Sequence, residues 1–226
     1  MTEEEAKRWL DGRGWWSGQA GERLRTFVAL LLEEADRQNL ISQASRQQIW
    51  ARHIVDSAQL LTLLSPRDAD GLWIDLGTGA GLPGLVIACL RESPLTLIEA
   101  RPLRTAFLCR CVETLALDHV TVVTDKVERV VLGRPASVIS ARAFAPLDRL
   151  LILSSHLSDE NTVWLLPKGR QAEKELEMVG RDWQAMFHVE HSLTDPESRI
   201  VTIRQLCRRA PASHAPAPRK RSRRPS

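Results

Sequence analysis

The 226-residue chain is 43% apolar and 26% charged, proportions that fit one sizeable globular domain and exclude a fibrous or wholly disordered protein. Its formal charge of +3 is uneven, because residues 208 to 226 carry seven basic side chains (Arg208, Arg209, Arg219, Lys220, Arg221, Arg223, Arg224) and no acidic one. Setting those seven aside from 31 basic and 28 acidic residues leaves the body at −4, so the body alone does not announce a nucleic-acid partner. Cys89, Cys109, Cys111 and Cys207 form no CxxC pair and no zinc spacing, which points to a reduced, cytoplasmic setting without a structural metal. No apolar run reaches the roughly 18 to 20 residues of a membrane span, and the acidic start "MTEEEAKRW" is not a signal peptide. No heptad pattern appears, and a monomer is expected.

In chain order, Leu24, Phe27, Val28, Leu31, Leu32 and Ala35 fall at helical spacing within residues 21 to 37. Residues 47 to 64 repeat the pattern with Ile49, Trp50, Ile54, Ala58 and Leu61. These two helices form an N-terminal cap, residues 1–66, expected to be part of the same domain as the core. After the turn-rich "SPRDADG" the rhythm changes to short apolar runs alternating with amphipathic stretches. The predicted strands are "LWIDLG", "PLTLIEA", "VTVVT", "ASVISAR" and "TVWLLPKG", with helices over "GLVIACLRE", "LRTAFLCRCVETLAL", "PLDRLLILSSHL" and "QAEKELEMVGRDW". "QAMFHVEHSL" and "RIVTIRQL" close the chain as an antiparallel hairpin. Such alternation predicts an α/β doubly wound, mostly parallel sheet covered on both faces over residues 67–207, with ligands beyond the carboxyl ends of the strands. The remainder, 208–226, is rich in Pro, Ala, Ser and Arg and is expected to be a disordered basic tail.

The stretch "WIDLGTGAGLPG" carries four glycines, Gly77, Gly79, Gly81 and Gly84, where the first strand turns into the first helix. Bare backbone there permits tight turning and close ligand approach, and a helix starting near Leu82, with Pro83 in its first turn, would aim free N–H groups at the ligand. Gly79, Gly81 and Gly84 satisfy GxGxxG, and Glu99 stands near the distance expected for ribose hydroxyls, so a dinucleotide is one candidate. Asp75, two positions before the first glycine, argues for the other: a carboxylate repels a pyrophosphate and attracts the ammonium of S-adenosylmethionine.

"DLGTGAGLPG", read with "NLIS", "ARHIVDSAQLL", "LIEA", "DKVERV", "SARAFAPLDRLL" and "LLPKG", resembles the ribosomal RNA small-subunit methyltransferase G family, also called glucose-inhibited division protein B. The likeness runs in order over about residues 20 to 206. It implies a class I methyltransferase with a Rossmann-like fold, using S-adenosyl-L-methionine to methylate N7 of guanine 527 of bacterial 16S rRNA. It also implies that Gly77, Leu82, Glu99, Val127, Glu128 and Arg142 face the cofactor site, with Val127 and Glu128 about the adenine, and the loop's own chemistry adds Asp75 and Gly79 to the cofactor-binding candidates. The implied partner is 16S rRNA or the small ribosomal subunit. A small-molecule methyltransferase of the same fold is the alternative.

The chemistry agrees with the residues present. N7 of guanine has a free lone pair, so no general base is needed, and positioning with electrostatics suffices. No catalytic residue is assigned. Arg142, His53 and Lys168 are candidates for the substrate side. His53, Asp56 and Ser57 share one helix turn, but a mid-helix serine lacks the exposed elbow of a hydrolase, so they are expected to form a hydrogen-bond network or the pocket's edge. His188 and His191 point to opposite faces of a strand and form no metal site. Cys89, Cys109 and Cys111 are expected to be buried on helices. Arg46, Arg52, Arg101, Arg104, Arg142, Lys168 and Arg170 are the candidate RNA-facing charges, since N7 lies in a groove that side chains cannot enter in A-form RNA and the target must be looped or flipped out.

Overall fold

A computed structural model describes residues 1–68, 70–179 and 182–209. Seven strands, β1 (Trp73–Leu76), β2 (Leu95–Glu99), β3 (Val120–Thr124), β4 (Val138–Ser140), β5 (Val163–Lys168), β6 (Trp183–His191) and β7 (Arg199–Arg208), form one sheet in the order β3-β2-β1-β4-β5-β7-β6. The first five are parallel, and β7 enters antiparallel between β5 and β6. Every residue of β1 and β2 is buried, the polar Asp75, Thr96 and Glu99 included, as befits central parallel strands covered on both faces. The expected hairpin is present.

Helices cover both faces. On one, α5 (Gly84–Leu90) and α6 (Pro102–Thr114) lie beneath α2 (Gly18–Ala35), while α1 (Glu3–Asp11) packs on the segment 50–55. Leu24, Phe27 and Leu31 of α2 share a single apolar cluster with Leu85 of α5 and Leu108 of α6, so the cap packs into the sheet's own core. On the other face α7 (Leu147–Ser154) and α8 (Ala172–Val179) close a second cluster around Trp164 and Ile139.

The sequence expectations need correction in four places. The acidic start is itself a helix, α1, whose Thr2 and Glu5 form a reciprocal capping box. Residues 47 to 64 are not one helix: α3 (Gln43–Arg46) is followed by a π-helix over Trp50–Val55, then α4 (Asp56–Ala58) and a 3-10 turn over Gln59–Leu63. Arg208 ends β7, so the strand reaches one residue into the segment read as a tail, and Arg209 beyond it donates its backbone N–H to Asp182 O. The rest of that tail lies outside the described residues. Cys109 is exposed, whereas Cys89 and Cys111 are buried.

Candidate active site

The sheet's order reverses at β1, with β2 on one side and β4 on the other. Diverging connections there leave a crevice beyond the strand ends. Gly77, Gly79 and Gly81 turn the chain with φ of +59°, +58° and +84°, a region that side-chain-bearing residues avoid. The turn is held from below. Trp73 Nε1 donates to Ser140 Oγ (2.8 Å), which donates to Asp75 Oδ1 (2.6 Å), and Asp75 Oδ2 accepts the Gly84 N–H at 3.0 Å. Asp75 is fully buried, and burial, opposed by these bonds, pushes its carboxyl up to about 6. Rather than standing free beside a ligand ammonium, this carboxylate lies under the loop, on the loop's own backbone.

The helix N–H groups are likewise engaged. The helix starts at Gly84 rather than near Leu82, the N–H groups of Gly81 and Leu82 return to Thr78 O, and that of Gly79 goes to Glu99 Oε2 at 3.0 Å. Glu99 Oε1 accepts from the Arg101 N–H at 2.9 Å. Gly79, Leu82 and Asp75 therefore build the loop, while Gly77, Glu99, Val127 and Glu128 line a cavity of about 490 Å³ beside it. The opposite wall is the loop after β4, Ala143 to Pro146. A second cavity of about 550 Å³ lies across that same wall, bordered by Asp56, Arg142, Lys168 and Arg199. One four-residue loop thus separates two compartments, each large enough for a nucleoside-sized group.

Arg142 stands at the end of β4 with its guanidinium held by the cap. It lies 3.3 Å from Asp56 Oδ2 and 3.4 Å from both Arg52 O and His53 Nδ1. Asp56 is the hub of this junction, since its Oδ1 also accepts from Thr194 Oγ1 (2.9 Å), Gln59 Nε2 (3.0 Å) and Ser192 Oγ (3.3 Å). His53 is buried, and burial with the nearby Arg142 and Arg52 charges lowers its pKa to about 3. A neutral imidazole accepts from Arg142 where a protonated one would repel it.

A histidine depressed by folding contributes stability that is complete above its ordinary value near 6.5 and lost as pH falls toward about 3. Between pH 7.5 and 5 the loss is about 2 kcal/mol. Asp75 acts in the opposite sense over part of that window, because its raised carboxyl gains a proton more readily folded than unfolded. Comparison with His53→Gln cancels such terms: urea unfolding at both pH values should show the variant gaining about 2 kcal/mol on wild type upon acidification. Parallel pH profiles would contradict a buried neutral imidazole.

Residues 20–205 match the model of the GidB family, rRNA small subunit methyltransferase G. The chain belongs to this family. It is 53% identical to the ribosomal RNA small subunit methyltransferase G of Sphingopyxis alaskensis over 88% of this chain and 84% of that protein. It is 47% identical to that of Novosphingobium aromaticivorans over 97% of each. In fold it resembles the glycopeptide N-methyltransferase MtfA complexed with S-adenosyl-L-methionine, with a TM-score of 0.58 at 10% identity over 68% of this chain and 94% of that one.

Within this family member, Lys168 works inside the protein: its Nζ donates to Ala145 O (3.1 Å) and Glu175 Oε2 (2.9 Å), and Glu175 Oε2 also accepts the Leu147 N–H at 2.7 Å. Lys168 and Glu175 therefore tie the dividing loop to β5 and α8. Sequence reasoning gave Glu175 no role, nor Phe144, whose ring would lie 2.4 Å from a Cβ added at Gly77. Six of the seven candidate RNA-facing cations already hold an acid within 4 Å: Arg46 with Asp36, Arg52 with Asp195, Arg104 with Glu99, Arg142 with Asp56, Lys168 with Glu175, and Arg170 with Glu197. An RNA phosphate must compete with those partners. No group of His, Cys, Asp or Glu suited to a metal occurs among the described residues, and no described helix is long and apolar enough to cross a membrane.

Proposed function

We propose that this chain transfers a methyl group from S-adenosylmethionine to N7 of guanine 527 in 16S rRNA. The observation that carries the reading is the pair of cavities divided by the loop 143–146 in a member of the rRNA small subunit methyltransferase G family. The cavity beside the glycine loop suits the cofactor. Its bare backbone at Gly77 lets the Phe144 ring pack directly on the loop, buried Val127 offers an apolar wall for an adenine, and Glu99 retains lone pairs for ribose hydroxyls. Bound there, S-adenosylmethionine supplies an electrophilic methyl on a sulfonium.

The other compartment suits the base. Arg142, steered by Asp56 and His53, is the side chain we assign to the guanine, with its N–H groups matched to O6 or a phosphate oxygen. N7 attacks with its own lone pair, so no proton leaves the base first and His53, neutral and buried, is not asked for one. Lys168 and Glu175 fix the loop that sets the distance between compartments. Methyl-labelled S-adenosylmethionine incubated with small ribosomal subunits lacking the modification tests the reading after digestion to nucleosides. Label in 7-methylguanosine is expected. Label in another nucleoside, or in small molecules while the RNA stays unlabelled, contradicts it.

A further inference from the structure

The π-helix over Trp50–Val55 is a rare winding that recurs at functional sites, and an acceptor from far away in the chain holds its start. The N–H groups of Trp50 and Ala51 are taken by the two oxygens of the Glu3 carboxylate, Oε2 at 3.2 Å and Oε1 at 2.9 Å. A helix start leaves such donors unsatisfied, and a bidentate carboxylate satisfies two at once. Glu3 is itself fixed independently: it opens α1, which is capped by Thr2 and Glu5 and buries Ala6 and Leu10 in the cluster that contains Ile54.

The other end of the π-helix leads to the site. The Asp56 N–H donates to Ala51 O, the five-residue bond that defines the winding. Ala51 is thus gripped on both sides, by Glu3 through its N–H and by Asp56 through its carbonyl, and Asp56 in turn meets Arg142 at 3.3 Å. We propose that Glu3 is a positioning residue for the methyl-transfer site, holding the π-helix in the register that presents His53 and Asp56 to Arg142. The inference rests on the assignment of Arg142 to the base, and it gives α1, which precedes the family-matched residues 20–205, a part in the reaction.

Glu3→Gln keeps the size and leaves one oxygen for two donors. Glu4→Gln is the control, because Glu4 lies on the same exposed turn and pairs with Lys7. The first readout needs no RNA: imidazole NMR between pH 8 and 5. In wild type and Glu4→Gln the His53 ring stays neutral throughout, whereas in Glu3→Gln it is expected to protonate within that window as the turn loosens. The second is turnover on small subunits, where Glu3→Gln should lower kcat about tenfold with the Kd for S-adenosylmethionine within about twofold. If Glu3→Gln does not fold, Glu3→Asp, one methylene short, takes the same two measurements. A folded variant with an unchanged His53 titration overturns the proposal. Wild-type protein that leaves RNA unmethylated overturns the functional reading instead, and the NMR result still decides the role of Glu3.

Discussion

Arg142→Ala is expected to lower kcat on the ribosomal substrate by about a hundredfold, the scale of losing one charged donor aimed at the reacting group. Stability should fall far less. When the guanidinium goes, Asp56 Oδ1 keeps Thr194, Gln59 and Ser192 as donors and Oδ2, which loses its partner, belongs to a residue that borders the open cavity, so the cost is about 1 to 2 kcal/mol. S-adenosylmethionine affinity should stay near wild type, because Arg142 borders the compartment on the far side of the loop 143–146. Single-turnover assays with calorimetric cofactor titration separate these terms. Normal turnover would remove Arg142 from the reaction, and lost cofactor binding would move it to the other compartment.

The second large effect is at Gly77. Alanine there must hold φ near +59° and place Cβ 2.4 Å from the Phe144 ring. The backbone cost is about 1 to 2 kcal/mol, and the ring that the added Cβ displaces is itself part of the wall of the cavity that Glu99 and Val127 line. The Kd for S-adenosylhomocysteine is expected to rise at least about tenfold, equivalent to about 1.4 kcal/mol. Gly14→Ala isolates the backbone part, since Gly14 also has positive φ, at +70°, but nothing within 4 Å of an added Cβ. That variant should lose a similar amount of stability and no affinity. Equal affinity in both variants and wild type would show that the Gly77–Phe144 contact does not shape the cofactor site.

Much of this architecture could be read from the residues because the physical signal was local. Four-residue β1 and five-residue β2 are short, mostly apolar runs bounded by turn residues, and Gly77, Gly79 and Gly81 of the first turn have positive φ. What was misread depends on distance or direction. The spacing of Ile49, Trp50, Ile54, Ala58 and Leu61 fits an α-helix over so short a stretch, and a slip into five-residue bonding leaves no mark in that pattern. Helix α1 was missed although its Thr2–Glu5 capping box was in the sequence, because only Ala6 and Leu10 of its residues are buried and the apolar rhythm is thin. Asp75 was recognised by its position before the glycines, yet position cannot say which way a carboxylate points, and here it points to Ser140 and Gly84. The tie from Lys168 and Glu175 to the loop after β4 joins segments more than twenty residues apart, for which a single sequence offers no periodic cue.

The central claim is that the two compartments serve one reaction at one base. Its most direct measurement is the position of the methyl group on 16S rRNA, mapped by borohydride reduction and aniline cleavage of small subunits treated with wild-type and Arg142→Ala protein. A single new cleavage at guanine 527 with wild type, strongly reduced by Arg142→Ala, is the predicted result. Cleavage at a different guanine, or at guanine 527 to equal extent with both proteins, would contradict the account.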